Sequence, residues 1–301
     1  MKQENNSISG VINICKEKDY TSHDVVAIVR KITRAKAGHT GTLDPNATGV
    51  LPVCLGRATK FADYFAAQEK SYSAEIVPGI TTDTGDITGT VLQHINGSGI
   101  NLEKIRIVAE TFLYENRGDY MQTPPMYSAI KIGGKKLYEL ARKGQTIERP
   151  ARKVKIFAIG VREESSRFYL DVSCSKGTYI RSLCMDIGEA LGCGAVMGDL
   201  VRTRSGSFCI KNSFTLAEVK NAAEAGRLQD LILPVNELLP YPAAQVKPEG
   251  LARAKNGNPL PVQQIHWDGE LEKKIFILDN SSNIIGLFFL KNESYRAEVM
   301  L

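Results

Sequence analysis

The 301-residue chain has no run of about 18 apolar residues, which excludes a bilayer-spanning helix. Its first residues, Met1-Lys2-Gln3-Glu4-Asn5-Asn6-Ser7, lack the apolar stretch of a secretory signal. Six cysteines, at 15, 54, 174, 184, 193 and 209, form no Cys-x-x-Cys pair. That scatter suits reduced thiols in a cytoplasmic protein and argues against a zinc site. The polar stretch Thr81 to Gly89 lacks the Asp/Asn alternation and closing Glu of an EF-hand loop, so calcium is not expected. Gly133-Gly134-Lys135 lacks the first glycine and the final Ser/Thr of a phosphate loop. No strand precedes Gly192-Cys193-Gly194, which therefore reads as a helix stop rather than a dinucleotide fingerprint. Ser22-His23-Asp24 makes no triad, because consecutive residues on a helix do not face one another. There is no internal repeat and no low-complexity segment.

What is present is ordinary in bulk and uneven in detail. Hydrophobic residues make up 43% and charged residues 24%, enough apolar content for a large core. The net charge of +5 is not spread evenly. Residues 131–155 hold nine basic side chains against Glu139 and Glu148, whereas residues 241–301 hold seven of each sign. The basic segment suits a phosphate backbone, or simply a solvated face; composition leaves both open.

Periodicity and turn residues outline the elements. Residues 10–15 read as a short strand. A helix follows from Thr21-Ser22, with Ser22 as N-cap, Asp24 in its first turn, and Val25, Val26, Ile28, Val29 and Ile32 at helical spacing. Further helices are expected near Thr59, over 101–115, over 178–191 and near 215–226. Strands are expected over 71–77, near 153–161 and over 167–174. Residues 116–150 form a loop-rich basic insertion. Leu239-Pro240-Tyr241-Pro242 marks a boundary, beyond which short β-rich runs predict a small, mostly β domain. The order is mixed without βαβ regularity, so the fold class is α+β. The domains are 1–240 and 241–301.

The most informative stretch is Gly38-His39-Thr40-Gly41-Thr42-Leu43-Asp44-Pro45-Asn46-Ala47-Thr48-Gly49-Val50-Leu51-Pro52. Pro45 biases Asp44 toward extended backbone. The glycines permit sharp turns and close approach of another chain segment. Val50 to Leu55 is long enough for a buried strand. The pattern displays one carboxylate on a loop that leads into a rigid element. An isolated Asp-Pro step is more simply an Asx-turn or a helix cap.

The longer pattern closely resembles the catalytic-aspartate motif of pseudouridine synthases. With His39-Thr40-Gly41 ahead of Leu43-Asp44-Pro45, it is similar to the bacterial tRNA pseudouridine-55 synthase (TruB) family. The likeness continues in order along the chain. Lys70-Ser71-Tyr72 matches the strand with an active-site tyrosine. Gln122-Thr123-Pro124-Pro125-Met126-Tyr127-Ser128-Ala129-Ile130-Lys131 resembles the start of an RNA-gripping insertion. Cys174-Ser175-Lys176-Gly177-Thr178-Tyr179-Ile180-Arg181 matches the segment with the active-site arginine. Leu200-Val201-Arg202-Thr203-Arg204-Ser205-Gly206 resembles the last motif, and Ala254-Lys255-Asn256-Gly257 the family's PUA-like RNA-binding tail. At Lys16 to Ser22, Glu17 and Asp19 stand where the family carries proline and glycine, while Lys16, Thr21 and Ser22 match.

The resemblance implies a catalytic domain built on a mixed, mainly antiparallel sheet flanked by helices and loops, with a PUA-like second domain. It implies isomerisation of uridine in the T loop of tRNA to pseudouridine. The glycosidic bond breaks, the uracil turns, and C5 joins the sugar, with no cofactor and no metal. Asp44 would be the nucleophile or base. Arg181 would pair with it, its planar fork fixing the carboxylate. Tyr72 would offer an aromatic face to the uracil and a phenol for proton transfer. His39 would fill the stack vacated by the flipped base, and Leu200 would pack on that base. Tyr179 belongs to the same substrate-binding set, while Lys16, Lys131 and the insertion would grip phosphates. A monomer is expected, acting on the T arm of tRNA away from membranes. The rival readings are a tRNA-binding or folding module without catalysis, and a synthase acting on another RNA.

Overall fold

The computed structural model describes residues 8–95, 99–116, 119–128, 130–141, 144–145 and 147–301, without the side chains of 131, 132, 135, 136 and 138. Nine strands form the main sheet. They are β1 (Gly10–Lys16), β2 (Ala37–His39), β3 (Thr48–Leu55), β4 (Lys70–Pro78), β5 (Asp119–Gln122), β6 (Arg152–Glu164), β7 (Arg167–Cys174), β8 (Ala195–Ser205) and β9 (Phe208–Cys209). Their order is β1-β3-β8-β4-β7-β6-β5, with β2 on β3 and β9 on β8. All pairs are antiparallel except β3 with β8, where Val201 lies beside Thr48 and Arg202 beside Gly49.

Both faces of β3 are covered, which explains its unbroken apolar run. Leu51, Val53 and Leu55 meet Ile12 and Ile14 of β1, Val25 and Val29 of helix α1 (Ser22–Thr33), and Leu216 and Val219 farther along the chain. Val50 and Cys54 face Phe61, Phe65, Phe208 and, from the C-terminal region, Phe276 and Leu287. A third core lies at the other end of the sheet. There Ile105 and Ala109 of α2 (Leu102–Glu115) and Leu183, Cys184 and Ile187 of α3 (Ile180–Ala190) cover Ala74, Ile76, Leu170 and Val172.

Caps set the helix starts. Thr21, not Ser22, caps α1: its hydroxyl accepts from the Asp24 N–H, and the Asp24 carboxylate returns to the Thr21 backbone. Ser22 instead opens the helix and turns its hydroxyl toward the neighbouring loop, as described below. Thr215 and Glu218 form the same box ahead of α4 (Leu216–Glu224). The region near Thr59 is a 3₁₀ turn, Gly56–Phe61, running into the short helix Ala62–Ala66. The insertion holds the short strands Lys131–Ile132 and Lys135–Lys136 and the helix Leu137–Ala141; residues 117–118, 129, 142–143 and 146 lie outside the described residues.

Beyond Pro242 a six-stranded sheet dominates, ordered Leu260–Pro261, Ser294–Met300, Ile284–Lys291, Lys274–Leu278, Ala243–Val246 and Ile265–His266. Its core includes Val246, Ile275, Ile277, Phe288 and Tyr295. Its outer layer docks on the helix Ala62–Ala66. The Tyr64 hydroxyl donates to Glu298 at 2.5 Å, and Lys274 pairs with Glu298 at 2.7 Å above the Tyr64 ring. No helix among the described residues is long and apolar enough to cross a membrane.

Candidate active site

The loop between β2 and β3 carries Asp44, and side chains from elsewhere fix its backbone. The Ser22 hydroxyl accepts from the Leu43 N–H at 2.8 Å and donates to the Leu43 carbonyl at 3.2 Å. A turn closes after Asp44, whose carbonyl accepts from Ala47 N–H at 3.1 Å. At the loop's end Gly49 has φ +100°, and a side chain there would collide with the Arg202 backbone, so glycine is required.

Lys16 holds the loop from below. Its side chain is fully buried, and its ammonium donates to the carbonyls of Glu17, Tyr20 and Pro45 at 2.9, 2.7 and 2.9 Å. All three donors of the ammonium are used within the fold, where the sequence led us to expect a phosphate contact. Burial lowers its pKa, which nearby Asp19 and Asp44 oppose. Asp19, at the position where the family carries glycine, takes φ +70° and donates its N–H to the Pro45 carbonyl at 3.0 Å. Aspartate tolerates this left-handed conformation better than most residues. The loop therefore keeps a glycine-like bend despite the substitution.

Arg181 comes from the first turn of α3. No side chain of Tyr179 caps that helix. Gln122 of β5 does the work, accepting from the Tyr179 N–H at 2.7 Å and donating to the Tyr179 carbonyl at 2.9 Å. Arg181 is 5% exposed, and its guanidinium meets Asp44 at 3.2 Å and Asp86 at 3.6 Å. It also donates to the Tyr127 carbonyl at 2.7 Å. Five donors in a fixed fork satisfy these partners at once, and a buried guanidinium needs them. Asp86 is held in turn by the Thr88 N–H and hydroxyl at 3.0 and 2.6 Å. Sequence reasoning passed over Asp86 as part of a polar turn; only its contact with Arg181 marks it.

Asp44, Asp86, Arg181 and Leu200 line one cleft of about 540 Å³, together with Thr42, Tyr127, Ser128, Met197 and His23. Of the two, Asp44 is half exposed and Arg181 is buried. Tyr72 and Tyr179 flank this centre. Burial pushes both phenols up, opposed at Tyr72 by Arg202 and at Tyr179 by a hydrogen bond with Ser128. His39 lies at the end of β2 with its ring edge-on to His23, centroids 5.3 Å apart. Its Nδ1 accepts from the Gly41 N–H at 3.3 Å, and burial lowers its pKa, so the neutral ring is favoured. The structure thus brings Asp44, Arg181 and Leu200 into one cleft, with Tyr72, Tyr179 and His39 around it. Lys131 sits in a short strand of the insertion, its side chain outside the described residues.

Residues 29–180 match the TruB family pseudouridylate synthase N-terminal domain, and residues 181–240 match the tRNA pseudouridylate synthase B C-terminal domain. The chain belongs to the TruB family of pseudouridylate synthases. A TruB-family relative from Alkaliphilus oremlandii, named tRNA pseudouridine synthase B, is 47% identical over 295 residues, 96% of this chain and 95% of its own. One of the same name from Staphylococcus haemolyticus is 39% identical over 302 residues, 97% of each. Among solved structures, a chain of a Cbf5-Nop10-Gar1 complex superposes with a TM-score of 0.71 at 29% identity, covering 97% of this chain and 84% of that one. A chain of an H/ACA RNP bound to a substrate RNA containing 2'-deoxyuridine gives 0.70 at 27% identity, with the same coverage. The α+β architecture and the mostly-β C-terminal region are those of these TruB-like synthases.

Proposed function

We propose that this chain is a tRNA pseudouridine-55 synthase, isomerising a uridine in the T loop of tRNA. The observation that carries this reading is the half-exposed Asp44 carboxylate paired at 3.2 Å with the buried Arg181, both lining one cleft. One charge faces the substrate; its counter-charge is locked by backbone carbonyls and a second carboxylate. Such a carboxylate is oriented before the substrate arrives, so little reorganisation is needed when charge develops. The relatives named tRNA pseudouridine synthase B support the substrate.

In this reading the target uridine leaves the stack, at a cost of about a few kcal/mol, and enters the cleft. Leu200 packs on the base, and Asp44 attacks or serves as base where the glycosidic bond breaks. Tyr72 and Tyr179 close the sides, and His39 occupies the space the base has left. The basic insertion, with Lys131, contacts phosphates, and residues 241–301 act as a PUA-like RNA-binding unit beside a catalytic domain of 1–240. The enzyme works as a monomer in the cytoplasm, without metal or cofactor.

The test is pseudouridine mapping on an unmodified tRNA transcript, with wild type and Asp44→Asn. We expect one new pseudouridine in the T loop. We expect its rate to fall about 10³-fold or more in the variant, with tRNA affinity held within about threefold because only one charge changes. Full activity in Asp44→Asn would remove the nucleophile assignment. Inactivity of the wild type on tRNA, with activity on a ribosomal RNA transcript, would move the substrate; inactivity on both would favour a binding module.

A further inference from the structure

Arg202 lies within β8 and is 1% exposed, the largest fully buried side chain among the described residues. Its Nε donates to the Val50 carbonyl at 2.7 Å and its Nη2 to the Gly41 carbonyl at 3.1 Å. Those two carbonyls bracket the loop that carries Asp44. The strand register adds a third partner. Arg202 stands beside Gly49 on one side and directly opposite Tyr72 of β4 on the other. Directly opposed residues of an antiparallel pair project to the same face, so guanidinium and phenol are neighbours. The guanidinium accordingly favours the ionised phenol against the effect of burial.

The remaining surroundings make this cation unusual. Lys16, His39 and Lys70 each feel Arg202 as a like charge. Among the described residues no carboxylate pairs with it, in contrast to Arg181. Burying a charge without an opposite charge is costly, and an apolar side chain of similar volume would fill the space more cheaply. A guanidinium is the side chain that can reach both loop carbonyls and the phenol from one point.

We propose that Arg202 is a positioning residue of the reaction: it ties both ends of the Asp44 loop to the strand that carries Tyr72, and so fixes the carboxylate and the phenol in one frame. This rests on the pseudouridine-synthase reading above. The test is a double-mutant cycle on single-turnover pseudouridine formation, with tRNA affinity measured in parallel. Arg202→Lys keeps the charge but cannot fork between two carbonyls and the phenol. We expect it to bind tRNA within about threefold of wild type while the rate falls on the order of 30- to 100-fold, and to lose less than about fivefold more in a Tyr72→Phe background, the coupling typical of residues in contact. Equal losses in both backgrounds would overturn the link to Tyr72 and leave a loop staple; an unchanged rate would remove the role altogether. If Arg202→Lys melts at the assay temperature, Arg202→Gln enters the same cycle and is read the same way. Inactive wild type would count against the enzyme reading, whereas active wild type with an additive cycle counts only against Arg202.

Discussion

The two ends of this molecule bury different chemistry. Every buried cation among the described residues, Lys16, Lys70, Arg181 and Arg202, belongs to the main sheet or, for Arg181, to the helix α3 packed on it. The sheet beyond Pro242 buries only apolar side chains and the Tyr295 ring, whose hydroxyl donates to the Glu272 carbonyl. Burying a charge is costly, and it is concentrated where a loop must be held without regular secondary structure. Lys16, Arg181 and Arg202 all spend donors on carbonyls of irregular segments. The C-terminal sheet needs no such devices, because strand ladders satisfy its backbone. One end is arranged for geometry at a site, the other for area removed from water.

Three measurements would break or sharpen this contrast. The largest effect is expected from Phe276→Ala, which empties the contact with Phe61 at 5.9 Å between ring centroids. We expect a loss of about 3–5 kcal/mol by denaturant titration. The single-turnover rate of the folded fraction should stay within about twofold; a large fall would show that the C-terminal packing shapes the cleft. Next is Lys70, whose amine burial and Arg202 hold down at about 8, against the ordinary 10.5. The unfolded chain therefore binds the extra proton between these values, so Lys70 makes stability rise with pH from about 8 to about 10.5 and level off below 8. Lys70→Met should lack that rise when melting temperatures at pH 8 and pH 10 are compared; equal slopes would mean that the amine is charged in the folded protein throughout. The smallest effect is expected from Gln122→Ala, which removes both hydrogen bonds to Tyr179. A loss of about 1–2 kcal/mol is anticipated, with pseudouridine formation slowed about tenfold because the first turn of α3, and Arg181 with it, is less firmly placed. Unchanged kinetics would mean that Arg181 is held by its carboxylates and carbonyls alone.

The same contrast decides what was legible in the sequence. Apolar runs and alternation marked β3, β4, β6 and β7, and the mostly-β tail, because burial alone dictates those residues. The Asp44 loop stood out through its density of glycine, proline and carboxylate, and Arg181 through its motif. The strand β8 does not read as a strand in the sequence, since Gly198, Asp199, Arg202 and Arg204 interrupt the expected alternation. Its register shifts between Met197 and Leu200 and again between Arg202 and Arg204. In the sequence Lys16 reads as a phosphate contact, because nothing local reveals that three carbonyls converge on its ammonium. Thr21 and Ser22 are both good caps, and only the position of Leu43 shows that Ser22 serves another segment. Asp86 was hidden for the same reason: its partner lies on a helix far along the chain.

The single parallel pairing in the main sheet, β3 beside β8, has a consequence for how activity is acquired. Arg202 and Val50 are bonded across 152 residues of chain, and no hairpin can bring a parallel pair together. Closing a loop of that length must precede the reward of its contacts, which makes such pairings late and slow. A chain emerging from the ribosome can form β1 with β3 and cap α1 early. It cannot complete the wall beside Asp44 until β8 has been synthesised and inserted between β3 and β4. Competence should therefore appear as one of the last steps of folding, after most of the helix and hairpin structure is in place.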